Sequence, residues 1–234
     1  MRSHQILIIP FAPKLYMSEI DKKVHDETKM NFNQIRNTFR TGLDELLFIQ
    51  FKSMKSSVYA LLNDSAKNAQ DIERIYGSTT YSYDLVPSEN ASQKDIGKYQ
   101  KKDNAPKIVN GQLAVEASTD KKFMNAKITN PQLLGYLNKK YNSSLYVFIN
   151  ELDIKNNPES YDIATNTYKR EITVHYTVFD KEGKYVNYGI AATDFSSNIN
   201  DPDKIIKNYF PVITKTISNR LVAVLAPPTD TKIK

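Results

Sequence analysis

A strand, a long helix and a second strand, followed later by a helix, three strong strands and a closing helix, predict an α/β (α+β) fold: a mixed β-sheet with amphipathic helices packed on it. Three observations carry this. ILIIPF at residues 6–11 is apolar without alternation, as a strand covered on both faces should be. Residues 31–54 and 202–224 each carry an apolar stripe at spacings of three and four. SSLYVFINELDI, YKREITVHYTVFD and KYVNYGIAATDF all have strand character.

The central strand is placed at residues 6–11, ended by Pro10 and Pro13. Residues 16–30 are polar and read as an exposed connection. In NFNQIRNTFRTGLDELLFIQFKSMK, Asn31 and Gln34 have the spacing of a capping box, and Ile35, Phe39, Leu43, Leu46, Leu47 and Phe51 share one face. Gly42, mid-helix, costs about 1 kcal/mol against alanine, and close packing on the strand is its expected reason. SSVYALL reads as a second strand, residues 63–75 as a polar helix and STTYSYDLV as a strand.

The chain reads as one domain, 1–234, with an irregular, lysine-rich insertion at about 87–127. Within the insertion KIVNGQLAVE predicts a hairpin turning at Asn110 and Gly111, and KFMNAKI a short strand. Asn130 and Pro131 read as an N-cap and first helical residue, with Leu133, Leu134, Leu137 and Tyr141 on the buried face. KEGK, with Gly183, joins two later strands. There Ile172, Val174, Tyr176 and Val178 alternate with polar residues, which predicts one wet or lightly covered face. Asp201 and Pro202 start the last helix, Pro211 is expected to break or kink it, and Ile213, Ile217, Leu221 and Val224 form its stripe.

Of the 234 residues 40% are apolar and 25% charged, and no apolar run approaches the ~20 residues of a spanning helix. The 32 basic and 26 acidic side chains are interspersed, so the net charge of +6 makes no nucleic-acid tail. No cysteine is present, which removes disulfides, thiol catalysis and thiolate metal sites and fits an envelope protein or a cytoplasmic one equally. MRSHQ has the look of a start methionine before a mature N-terminus, or of a natural short one.

Catalytic signals are poor, and the expectation is a protein that is not an enzyme, with no catalytic, cofactor-binding or metal-ligating residues. His4, His25 and His175 are scattered and read as neither ligands nor general bases. No glycine-rich phosphate loop follows residues 6–11, and there is no GxSxG elbow. Asp44 and Glu45 diverge by about 100° on a helix and read as a solvated edge. Glu151 and Asp153, two apart on one strand face, read first as an exposed strand end, with a cation site as the alternative.

ILIIPF, LLGYLNKKYNSSLYVFINELDI and ITVHYTVFDKEGKYVNYGIAATDF follow one another as in the periplasmic lipoprotein domains of the CsgG/LpoB type and the amino-terminal domain of TolB, which this chain resembles. Its opening is also similar to that of uncharacterised envelope proteins of the Bacteroidota. Such domains carry an acylated cysteine and a glycine-rich turn near the first strand, and neither is found here; nor is a pair of membrane strands found in 87–127.

The resemblance implies a non-catalytic cell-envelope adaptor or assembly protein, periplasmic or outer-membrane associated, anchored only if a lipidated leader was removed. Its implied partners are envelope proteins, with self-association as one use of the same surface. The expected surface is the Tyr-rich stretch 76–128, with Tyr76, Tyr81, Tyr83, Tyr99 and Phe123 as partner-binding residues. The rival expectation is a hydrolase acting on an envelope polymer through Glu151 and Asp153.

Overall fold

The structure, a computed structural model, describes residues 5–85, 107–109, 112–114 and 122–225. Its elements are β1 (Gln5–Ile9), β2 (Tyr16–Ser18), α1 (Asp21–Thr28), α2 (Phe32–Ser53), β3 (Ser57–Ala60), α3 (Ser65–Gly77), β4 (Thr79–Leu85), β5 (Lys107–Val109), β6 (Gln112–Ala114), β7 (Lys122–Ile128), α4 (Leu133–Tyr141), β8 (Leu145–Asp162), β9 (Thr167–Asp180), β10 (Tyr185–Ser196) and α5 (Pro202–Leu225).

The main sheet is mixed, in the order β10-β9-β8-β1-β3. β1 pairs parallel with β3 and β8, while β8, β9 and β10 form an antiparallel meander. β2 runs parallel to β8 at Leu152–Ile154, further along the edge that β1 occupies at Leu145–Phe148. β4 and β7 make a separate two-stranded ribbon, and β5 and β6 a short hairpin whose register leaves positions 110–111 as the connection, itself outside the described residues. Among the described residues no helix is long and apolar enough to cross a membrane.

β1 lacks alternation because both of its faces are covered. Ile6 and Ile8 join a core with Ile35, Phe39, Leu43, Leu47 and Phe51 of α2 and Ile205, Phe210, Ile213, Ile217 and Leu221 of α5. Leu7 and Ile9 join a second core with Ile72 and Ile75 of α3 and Leu133, Leu134 and Leu137 of α4. The capping box on α2 forms in both directions: the Asn31 side chain accepts from the Gln34 amide at 2.9 Å, and the Asn31 amide donates back to Gln34 at 2.8 Å.

Several expectations need correction. Residues 16–30 are β2 and α1, and Ile20 and Val24 are buried in the α2/α5 core; two apolar residues four apart suffice to seat so short a helix. Gly42 answers α5 rather than a strand, since a Cβ there would lie 2.7 Å from Ile206 Cδ1. Asn130 and Pro131 sit one turn ahead of α4, with the Asn130 side chain accepting from the Gln132 amide at 2.9 Å. α5 continues through Pro211 without a break; Pro211 is exposed, as is Lys207, whose carbonyl loses its intrahelical partner. The polar face of β9, expected to be wet or lightly covered, is open at exposed Glu171 and half-buried Thr173 and covered beyond them, where His175, Thr177 and Phe179 are buried.

Candidate functional site

The β4–β7 ribbon lies across β8 and β9, and the sheet holds it with side chains. Pairing with β4 leaves one edge of β7 free, and an unpaired strand edge needs partners when covered. The Met124 amide donates to His175 Nδ1 at 2.8 Å and the Ala126 amide to Thr177 Oγ1 at 3.2 Å. The Met124 carbonyl accepts from Asn150 Nδ2 at 2.7 Å and the Ala126 carbonyl from the Tyr185 hydroxyl at 3.3 Å. Thr177 also donates to Asn125 Oδ1 at 2.8 Å, and Asn125 donates to Asp84 on β4 at 2.9 Å. Side chains of β8, β9 and β10 thus stand where a neighbouring strand would be.

Beside this edge Glu151, Asp153 and His175 come together, with at least one potential ligand atom of each within 4.8 Å of the others, and all three are buried. A bulge creates the cluster. The pairing of β8 with β9 slips between Ile149 and Glu151, so Asn150 is extra. Leu145, Val147 and Ile149 face α2 and α5, and after the slip Leu152 and Ile154 do so. Glu151 and Asp153 therefore turn to the ribbon, opposite His175 and Thr173. Tyr83 of β4 closes the site: its hydroxyl lies 3.0 and 2.9 Å from the two Glu151 oxygens, while 56% of the residue stays exposed.

Burial, then the neighbouring Asp153 charge, pushes the Glu151 carboxyl up to about 7. Burial pushes the His175 imidazole down to about 4, so the ring is neutral near pH 7. Burial and the Glu151 contact raise the Tyr83 phenol to about 12, keeping it a donor. Asp153 is paired through Oδ2 with Lys155 at 2.8 Å, and its Oδ1 is buried with no hydrogen-bond partner among the described residues. A proton on Glu151 gives its carboxyl a hydrogen to offer to Asp153, a ligand atom of which lies within 4.8 Å of one of its own.

Among the described residues these are the ones close enough to share a metal ion, yet the arrangement suits a proton better. A neutral His175 that accepts on Nδ1 carries its hydrogen on Nε2, 4.0 Å from Glu151, which leaves no lone pair there for a metal. Tyr83 occupies both Glu151 oxygens and Lys155 one of Asp153, so a single oxygen is unclaimed. The expectation that Glu151 and Asp153 mark an exposed strand end is overturned by their exposures of 3% and 5%. Asp44 is likewise no solvated edge; it is buried, and burial pushes it up to about 7.

The five expected partner-binding residues are placed differently from one another. Tyr83 faces solvent as the lid of the cluster. Tyr76 is half-buried, its hydroxyl 3.0 Å from the Pro10 and Phe11 carbonyls and accepting from Arg40 at 2.8 Å. Tyr81 is half-buried against the second core. Phe123 is fully buried, stacked on Tyr188 at 5.2 Å, and presents no ring outward. Tyr99 lies outside the described residues. His175 reads in the sequence as neither ligand nor general base; the signal that brings it to the cluster is the phase slip in LYVFINELDI, which turns Glu151 and Asp153 to the face of β9 that carries His175.

No protein-family model matches the chain, and no curated protein matches it in sequence. Among solved structures it is similar to the lipoprotein GNA1162 from Neisseria meningitidis, at 14% identity and a TM-score of 0.38 over 92% of this chain and 99% of that one. It is also similar to the hypothetical protein CT253 from Chlamydia trachomatis, at 10% identity and a TM-score of 0.41 over 94% of this chain and 99% of that one. Likenesses this loose say nothing about what this chain does.

Proposed function

We propose that the chain is a non-catalytic binding protein of the cell envelope that works by contact with another protein. The observation that carries the proposal is the end of the β8–β9 hairpin. β2 stops pairing at Ile154, and beyond β10 the last contact is that of Ser197 with Tyr168, so residues 158–167 extend past the ends of the neighbouring strands. Tyr161 is 52% and Ile163 86% exposed there, an aromatic and an aliphatic group offered together. The turn beneath them is built: Asp162 Oδ1 accepts from the Ala164 amide at 2.8 Å, and the Tyr161 hydroxyl donates to Asn166 Oδ1 at 2.5 Å. A structured turn loses less freedom on binding than a loose one. The resemblance of its order of elements to that of CsgG/LpoB-type and TolB amino-terminal domains supports the envelope placement.

The test is photo-crosslinking in living host cells with the reactive residue at position 163, at 83, or at the exposed Lys215 as control. A discrete adduct at 163 in the envelope fraction, absent at 215, is expected. Adducts at 83 and none at 163 would move the surface to the ribbon, and none at either would sink the proposal.

One observation favours the hydrolase instead. Glu151, raised to about 7, keeps a proton near neutrality beside Asp153, which is paired with Lys155, an asymmetry of the kind an acid/base pair needs. Glu151 lies against the Tyr83 hydroxyl, and an oxygen of Asp153 lies within 4.8 Å of one of its own. Cleavage of an envelope glycan that disappears in both Glu151→Gln and Asp153→Asn would favour the enzyme.

A further inference from the structure

We propose that the proton on Glu151 is a latch: with it, the end of the β4–β7 ribbon that carries Tyr83 and Met124 stays seated on the sheet, and without it that end lifts to admit water. The geometry sets the two states. In the closed state Glu151 touches the ribbon through Tyr83 and the sheet through Asp153, whose Oδ1 otherwise has no hydrogen-bond partner among the described residues. Loss of the proton leaves two buried carboxylates on alternate residues of one strand. Lys155 already serves Asp153, and no other cation among the described residues pairs with either. Two such charges need water, and the cover between them and water is Tyr83 with its strand.

Among the described residues few titratable and charged groups face Glu151. They are Asp153 and Lys155 on its own strand, His175 on β9 and Tyr83 on β4. Further out, Asp84 of β4 pairs with Lys127 of β7 at 3.8 Å, and Glu19 stands near Lys155. His175 cannot relieve the pair, because a proton on Nδ1 would oppose the Met124 amide at 2.8 Å and release the same ribbon. The ribbon is therefore held over a window, bounded on the acid side by His175 and on the alkaline side by Glu151.

Glu151 is raised from 4.5 to about 7, so its contribution to stability is full below 4.5 and is lost as pH rises through about 7. His175 is lowered from 6.5 to about 4, so its contribution is full above 6.5 and is lost as pH falls through about 4. Between 4.5 and 6.5 the two slopes oppose each other, and the wild type is near level there. Asp44 on α2 is raised into the same alkaline range, so the informative quantity is the difference between wild type and a Glu151 variant.

The test is hydrogen exchange of the Met124 and Ala126 amides at pH 6 and pH 8, corrected for the intrinsic dependence of exchange on pH. In the wild type their protection is expected to fall at least tenfold further than that of amides in β1. In Glu151→Gln, whose amide donates to Asp153 and accepts from Tyr83 at every pH, protection should be equal at the two values. Its Tm at pH 8 should exceed wild type by about 3–6 °C. If Glu151→Gln does not fold, Asp153→Asn removes the repulsion by the other partner and should also level the two values. Wild-type protection that is unchanged between pH 6 and pH 8, or the same fall in the folded variant, would overturn the latch.

Discussion

The two faces of the main sheet are covered by different chemistry. On one, α2 and α5 bring Ile35, Phe39, Leu47, Phe210, Ile213 and Ile217 against Ile6, Ile8, Val147 and Ile172. On the other, α3 and α4 cover one end with apolar side chains, while the β4–β7 ribbon covers the rest through His175, Thr177, Asn150, Tyr185 and Glu151. Apolar packing is non-directional and insensitive to pH, so the first face supplies stability. Hydrogen bonds in a buried network fix position and cost heavily when one member is lost, so the second face supplies register and a response to protons.

The largest expected effect breaks the first face. Phe39 is fully buried, with the rings of Tyr16 and Phe210 at 6.2 and 5.9 Å, and Phe39→Ala should cost about 3–5 kcal/mol in denaturant unfolding. Next, Thr177→Val keeps the shape of the second face and removes one hydroxyl with three partners, Ala126, Asn150 and Asn125. It should cost about 2–3 kcal/mol, with exchange at Ala126 speeding up more than exchange in β1. Gly42→Ala should cost about 1–2 kcal/mol, because the clash with Ile206 exceeds the gain in helix propensity. Combined with Ile206→Ala it should cost less than the sum of the two, as measured in a double-mutant cycle. At the small end, Asp194→Asn breaks the exposed 3.7 Å pair with Lys169 and should change stability by less than about 0.5 kcal/mol.

The sequence shows the first face more plainly than the second. The stripe of α2, the non-alternating β1 and the capping box at Asn31 are local signals, each complete within one segment. The ribbon is not local: β4 and β7 are joined through residues 86–121, and their pairing depends on what the sheet presents beneath them. Polar residues at alternate positions of β9 look like a wet face, because sequence does not reveal that Thr177 and His175 bind a second layer's backbone. The same blindness made Glu151 and Asp153 look exposed. The phase slip at Asn150 was visible in LYVFINELDI, but only pairing with β9 shows which way the carboxylates turn. Gly42 shows the converse: close packing was legible, and its partner, some 160 residues on in the chain, was not.

Whether Glu151 holds a proton at neutral pH can be read directly from the carbon NMR signal of its side-chain carboxyl, identified by its absence in Glu151→Gln and followed from pH 4 to pH 9. A midpoint near 7 is expected, together with a fall toward the ordinary carboxylate range in Asp153→Asn. A midpoint near 4.5 in the wild type, unmoved by Asp153→Asn, would contradict the shared proton and with it the polar latch on the second face.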